Sequence, residues 1–430
     1  MTTPFNQPFA FPCYAEPTLY VAVGDSLRPW EYNGWKPESL SWKQSCYIHT
    51  GLSGPVVCVD GPDADAFVAQ LCTNNLASFP EGTMRHAVMC TDEGLIAAHG
   101  ILQRYDDGHY RHFAAGPWAF YQGLQGKFDV RVWMENIYLT QIAGPRSLEA
   151  LQRVTGEDLS DIKFLRYRKT RIAGKTVEVG RIGMSGNLAY EVRGPIADGP
   201  AVFDAIYQAN KDIGIERLGW RTYLVNHVEG GFPQAAWTFG MAMVNDQGFR
   251  NWVGSDHFSL HPQRTGSYDP TNLRARQRNP FEVNWDKAVR FDHEFIGREA
   301  LEKVASSPDQ RRTVTLRWNA DDVIDIYASL YRPGEEYRTM DLPTTPTWGH
   351  GMLEHADRLL AGDKLVGMSS GSIYSYYFRE NLSMGCVDVS HSEPGTELIV
   401  QWGDHGKRIK DVRVTVDRFP YLDEKRNSEG

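Results

Sequence analysis

Residues 58–71, CVDGPDADAFVAQL, and residues 141–154, QIAGPRSLEALQRV, share one design: an apolar strand end, a Gly-Pro step, then an amphipathic helix. Phe67 and Leu71 stand at i, i+4 in the first copy, and Leu148, Leu151 and Val154 recur at helical spacing in the second. Similar material follows each helix. Residues 87–116 read as three strands, because Asp92-Glu93-Gly94 and Asp107-Gly108 are turn signals between apolar or alternating runs. Residues 164–194 repeat the pattern, with turns at Ala173-Gly174 and Ser185-Gly186-Asn187. A helix followed by an antiparallel meander, twice, predicts an α+β fold and not a doubly wound one.

Beyond this repeat, helices are expected over Pro200–Lys211 and Ile215–Glu229, the second ended by Gly230-Gly231 with Pro233 beyond. Residues 239–280 are polar, glycine-punctuated and without clear periodicity, which predicts a long loop insertion or lid. The run Arg274, Arg276, Arg278 inside it reads as a solvated charge run. From Arg311 onward, TVTLRW, ELIVQW and DVRVTV alternate between Gly/Pro turns and predict a small all-β domain. The expected division is 1–140, 141–305 with its insertion at 239–280, and 306–430.

The 430 residues carry 45 Lys+Arg against 54 Asp+Glu, a formal charge of −9, so no basic excess exists for a nucleic-acid backbone or an anionic membrane. No apolar run is long enough to span a bilayer and no leader pattern opens the chain. The six cysteines, at 13, 46, 58, 72, 90 and 386, form no C-x-x-C pair. A reducing, cytoplasmic setting and a small-molecule partner are the expectation. Aromatic residues make up 12% of the chain, and such rings line pockets for flat ligands. His257 and His261 have i, i+4 spacing but lack the Glu of H-E-x-x-H, so no metal is expected. The oligomeric state is not legible.

Five stretches in order, 59–96 (VDGPDADAFVAQL through DEGLI), 142–154, RIGMSGNLAYEV at 181–192, FDHEFIGREAL at 291–301 and VGMSSGSIYS at 366–375, resemble the glycine-cleavage T-protein (aminomethyltransferase) superfamily. YNGW at 32–35, SWKQSCYI at 41–48 and residues 279–301 are most similar to its tetrahydrofolate-dependent aromatic O-demethylases, of the vanillate and syringate type. The resemblance implies a three-domain cloverleaf around a folate channel, with the first two domains interleaved and a C-terminal β-barrel. It implies tetrahydrofolate as cofactor and Glu191 as the carboxylate that accepts the paired N–H donors of the pterin edge. Taken alone, Glu191 would read as a solvated strand end. Phe113, Ala114 and Phe232 carry over as further folate contacts.

The chain also departs from that family. Where the aminomethyltransferases keep an Asp pair, it has Ala98-His99, and Met184 replaces the Tyr of their G-Y-T-G turn, so an amine-bound lipoyl substrate is not expected. Removing a methyl from an aryl ether requires stabilising the departing oxygen, which calls for a general acid. Trp220, Tyr223 and His227 fall at i, i+3 and i+7 on one helix face. By the resemblance, Tyr223 corresponds to the demethylases' catalytic Tyr. His227 is a candidate to orient or relay the proton, and His99 is the competing donor. Trp30, Tyr32 and Trp220 are candidate substrate-stacking rings, although a cluster docking the N-terminal arm explains Trp30 and Tyr32 equally well. The expected reaction is demethylation of a methoxylated aromatic acid. Demethylation of a methylated sulfur compound or methylamine, and folate binding without turnover, are the alternatives.

Overall fold

The computed structural model describes residues 17–23, 26–50, 53–105, 108–113, 116–255, 260–345 and 353–423. A hairpin, β1 (Leu19–Val23) and β2 (Ser26–Glu31), leads into α1 (Trp35–Gln44) and β3 (Cys46–His49). The first repeat is β4 (Gly54–Asp60), α2 (Ala64–Leu71), β5 (Met84–Cys90), β6 (Ile96–Arg104) and β7 (Tyr110–Phe113), followed by α3 (Gly116–Gly123). The second is β8 (Arg131–Ala143), α4 (Ser147–Thr155), β9 (Tyr167–Ile172), β10 (Lys175–Arg181) and β11 (Ala189–Pro195), followed by α5 (Gly199–Gln208), β12 (Ile215–Arg217) and α6 (Trp220–Glu229).

One sheet joins the two repeats in the order β5-β6-β7-β4-β8-β11-β10-β9, which reads alike outward from its centre in both directions. The 13-residue β8 is the hub: its first half pairs with β4 and its second half with β11 and β3. Both Gly-Pro steps are demanded by the backbone. Gly61 (φ +123°) and Gly144 (φ +132°) occupy a region closed to other residues, and a Cβ would come within 2.6 Å of Asp129 O or 2.4 Å of Ser45 O. Phe67 and Leu71 pack α2 onto Val57, Ala97 and Leu102, whereas Leu151, Val202 and Phe203 pack α4 and α5 onto Ile142 and Val192.

Past α6 come α7 (Gln247–Val253), β13 (Gln263–Thr265) and α8 (Arg298–Ser306). The C-terminal elements are β14 (Arg311–Trp318), α9 (Ala320–Ala328), β15 (Leu353–His355), β16 (Asp357–Ala361), β17 (Lys364–Ser375), β18 (Glu380–Asp388), β19 (Glu397–Trp402) and β20 (Lys410–Asp417). Strands β14-β18-β17-β16-β19-β20 close a barrel, so the α+β cloverleaf architecture with a C-terminal β-barrel stands.

Two expectations of detail are corrected. Ile215–Arg217 is not helical but pairs in parallel with β3, a tertiary contact that overrides local pattern. The Arg274, Arg276, Arg278 run within residues 239–280 is not a solvated one: Arg276 and Arg278 are buried, and the stretch itself contains α7. The two terminal guanidinium nitrogens of Arg276 donate to the carbonyls of Thr265, Tyr268, Asp269 and Asn272, which offsets much of the cost of holding a cation away from water. Among the described residues no helix is long and apolar enough to cross a membrane, and no cluster of His, Cys, Asp and Glu could hold a metal. His257 lies outside the described residues.

Candidate functional site

Helix α6 is buried along nearly its whole length, only Arg221 reaching the surface, which makes it a central rod between the sheet, the β1–β2 hairpin and the barrel. Its start is fixed by Glu38. That buried carboxylate accepts the Gly219 N–H (2.9 Å), the Thr222 hydroxyl (2.8 Å) and the N–H groups of Tyr32 (2.7 Å) and Asn33 (3.1 Å). Burial still pushes its pKa up to about 6. Gly219 sits so close to the Trp30 carbonyl that a Cβ would be 2.2 Å from the oxygen.

From this rod Tyr223 and His227 face one aromatic cluster with Trp220, and Trp30 packs into the same core. The His49 ring stacks on Tyr223 at 4.0 Å and 19°, and meets Trp220 edge-on at 5.4 Å. The Tyr223 hydroxyl has the Met184 Sδ 4.0 Å away as its one weak partner. Burial, reinforced by Tyr47 and Glu191 nearby, holds its pKa well above the usual 10, so the phenol stays protonated. His227 Nδ1 lies 2.9 Å from the Tyr223 carbonyl, and His49 Nδ1 lies 2.8 Å from the Leu218 carbonyl. A carbonyl can only accept, so in both rings Nδ1 carries the proton and Nε2 presents a lone pair. Burial pulls His227 down to about 4 and His49 to about 3, which keeps both neutral.

Glu191 lies opposite Gln141 on the β8–β11 ladder, and Gln141 lies opposite His49 on the β3–β8 ladder, so the three share a short row across the sheet. The Tyr47 hydroxyl donates to Gln141 Oε1 (2.5 Å) and accepts from Asn226 Nδ2 (3.1 Å), tying the row to α6. Glu191 is buried against Arg193, which donates to its Oε2, donates to Gln103 Oε1 (2.9 Å) and lies over the Phe113 ring at 4.4 Å. The other carboxylate oxygen makes no hydrogen bond among the described residues. The side-chain amides of Gln141, Asn187 and Asn226 are buried, and each leaves one end unbonded. Such groups are costly unless a partner of matching polarity arrives. A carboxylate oxygen with the Gln141 amide opposite it on the ladder fits the paired N–H donors of a reduced pterin.

His99 belongs to a second group. Its Nε2 accepts the Ala235 N–H (3.2 Å) and its Nδ1 faces His86 Nε2 (3.1 Å), with Trp285 4.7 Å away between ring centroids. Phe232 bridges the two groups, 6.2 Å from His227 and 6.1 Å from His99. The structure therefore brings Tyr223, His227, Trp220, Trp30, Phe232 and His99 around one region, with Glu191 and Phe113 on its sheet side. The Tyr32 ring lies under the Arg217 guanidinium at 4.8 Å, which also covers Tyr207. Ala114 lies outside the described residues. Two clefts, of about 210 and 320 Å³ with their open mouths, meet at Trp237 and His355. Trp237 packs edge-on to His227 at 5.9 Å, so the clefts end one ring away from the Tyr223 cluster.

Sequence reasoning missed His49, Tyr47, Gln141, Asn226 and His86. For two of them a signal existed: Tyr47 and His49 alternate on one strand face within CYIH, polar groups in an otherwise buried strand. Gln141, Asn226 and His86 become legible only through pairing that the fold creates.

Comparison with known proteins identifies the family and the fold. The profile of the GCVT N-terminal domain matches residues 17–237. The chain is 37% identical to the sesamin methylene transferase of Sinomonas sp. (strain No.22), covering 96% of this chain and 94% of that one. It is 30% identical to the syringate O-demethylase of Sphingobium sp. (strain NBRC 103272 / SYK-6), covering 90% and 85%. The crystal structure of the glycine cleavage system aminomethyltransferase T from Bartonella henselae superposes with a TM-score of 0.68 at 16% identity, over 95% of each chain, which speaks for the fold. With the doubled meander, the buried carboxylate cradle and these matches in hand, the chain belongs to the GCVT family of tetrahydrofolate-dependent, methyl-transferring enzymes.

Proposed function

We propose that this protein is a tetrahydrofolate-dependent O-demethylase that takes the methyl of a methoxylated aromatic acid and releases the phenol. The observation that carries the reading is Tyr223: a protonated, buried phenol in an aromatic cluster, with the Glu191 cradle on its sheet side. The similarity to a syringate O-demethylase supports it. Tetrahydrofolate, when bound, supplies N5 as the acceptor of the one-carbon unit. The residues for that role are Glu191, held by Arg193, with the Gln141 amide opposite it on the ladder. Trp220 and Trp30 give the arene apolar surface and exclude water.

As the carbon–oxygen bond breaks, its electron pair stays on the aryl oxygen, and Tyr223 donates a proton there. A phenol pKa raised by burial reduces the driving force for that transfer, but it guarantees that the proton is present at every physiological pH. His227 and His49 are neutral and have committed their N–H groups to carbonyls, so they position Tyr223 and do not supply protons.

A second reading is favoured by the 37% relative, whose name specifies a methylene unit. A methylene held between two aryl oxygens leaves only when both carbon–oxygen bonds break; Tyr223 would protonate the first oxygen, and the two N–H protons that the accepting folate gives up would balance the two hydroxyls of the catechol. Anaerobic incubation with tetrahydrofolate and a panel of methoxybenzoates, methylenedioxybenzenes, methylated sulfur compounds and methylamines separates the readings by product mass. Methoxybenzoates giving 5-methyltetrahydrofolate support the first; 5,10-methylenetetrahydrofolate from methylenedioxybenzenes alone supports the second. Turnover of only sulfur compounds or amines contradicts both.

A further inference from the structure

His49 is 1% exposed, and its Nε2 has no hydrogen-bond partner among the described residues. Its Nδ1–H is spent on the Leu218 carbonyl, so what remains is a buried lone pair, able to accept and unable to donate. The ring is clamped by its stack on Tyr223 and its edge contact with Trp220, within the cluster proposed to receive the arene. A buried acceptor left without a donor is costly, and a native protein keeps one where a ligand or water completes it. A methoxy oxygen or a carboxylate cannot do so, because each only accepts. A phenolic O–H can.

We infer that His49 is a specificity-determining residue whose Nε2 accepts the hydrogen of a free phenolic hydroxyl on the substrate, next to the oxygen that Tyr223 protonates. The substrate class narrows accordingly to arenes with a free hydroxyl beside the ether, and excludes fully O-alkylated rings. The inference rests on the O-demethylation reading above and not on the methylene one, whose methylenedioxybenzenes carry no free hydroxyl. Adjacent ring oxygens suit the pair of side chains, since one oxygen receives a proton from Tyr223 and its neighbour gives a hydrogen bond to His49. The same pair of contacts holds the catechol product.

The test uses a matched pair of probes, 4-hydroxy-3-methoxybenzoate and 3,4-dimethoxybenzoate, which differ only in the hydroxyl. Binding to the full chain with tetrahydrofolate present is read by tryptophan fluorescence, and turnover is read in parallel. The wild-type protein should bind the hydroxylated probe about tenfold or more tightly, the worth of one hydrogen bond to a buried acceptor. His49→Phe should erase that preference, and His49→Gln, which keeps an acceptor, should retain part of it. Tetrahydrofolate affinity unchanged in both variants shows that they are folded. Equal binding of the two probes by wild-type protein, or an undiminished preference in His49→Phe, overturns the inference even if both are demethylated. Failure of both probes to bind at all, with folate still bound, overturns the O-demethylation reading and this inference together. Preferential binding without turnover leaves the His49 contact standing and removes the reaction.

Discussion

At the scale of single residues, hydrogen-bond direction separates the two candidate acids. The Ala235 N–H can only donate, so His99 Nε2 holds a lone pair, and the one ring proton lies on Nδ1, directed at His86. A histidine with its acceptor and its donor both engaged is a poor source of protons for a departing phenolate. Tyr223 has a proton and only a distant sulfur beside it. His99→Asn is therefore expected to lower kcat by no more than about tenfold, through disturbed packing of Trp285 and Phe232, while the activity of Tyr223→Phe falls by two to four orders of magnitude, roughly the range for loss of a general acid. Steady-state kinetics with the best substrate of the panel checks both. The His99 tautomer could not be read from the sequence, because it is set by the Ala235 N–H, 136 residues away.

At the scale of elements, α6 owes its position to Glu38 on α1, which gathers four hydrogen bonds from the helix start and the turn before α1. Glu38→Ala strands those donors in a buried place and should cost about 3 kcal/mol of stability. It should also lower kcat by shifting Tyr223; Glu38→Gln, which keeps one acceptor, should recover part of both. Denaturant titration beside kinetics measures the two effects. What was legible here follows from locality. The meanders are written in short-range turn chemistry, and the alternation of TVTLRW, ELIVQW and DVRVTV announces barrel strands. β12 was read as helix because its three residues are a strand only by virtue of β3 beside them. Arg276 was read as solvated because the four carbonyls that receive it are brought together by the fold alone.

At the scale of the whole molecule, the α+β body and the barrel meet at a buried carboxylate: Glu229 of α6 forms an ion pair with Lys43 Nζ (3.0 Å) and accepts hydrogen bonds from Trp42 Nε1 (3.2 Å) and the Ser375 hydroxyl of β17 (2.6 Å). Buried titratable groups also give the molecule a pH signature. His49 and His227, with folded values of about 3 and about 4, take up protons only on unfolding as pH falls below 6.5, which destabilises the fold. His86, at about 4, acts in the same direction. Glu38, raised to about 6, opposes them between pH 6 and 4.5, since there the folded form binds the extra proton. The histidines outnumber it, so stability should fall on acidification from pH 6.5, by roughly 1 to 3 kcal/mol per pH unit, and less steeply below about pH 4, where the folded His227 and His86 begin to take up the proton as well. Urea midpoints from pH 7.5 to 4.5 measure this. Midpoints that rise on acidification contradict the burial of these rings.

The central claim is that an aryl-ether carbon passes to tetrahydrofolate with Tyr223 as the acid. Its most direct test is a single-turnover, anaerobic reaction of a ¹³C-methoxy arene with tetrahydrofolate, in wild-type protein and in Tyr223→Phe that still binds folate. The account predicts the label in 5-methyltetrahydrofolate and a stoichiometric phenol with wild-type protein, and almost none with the variant. Equal transfer by the two proteins contradicts it.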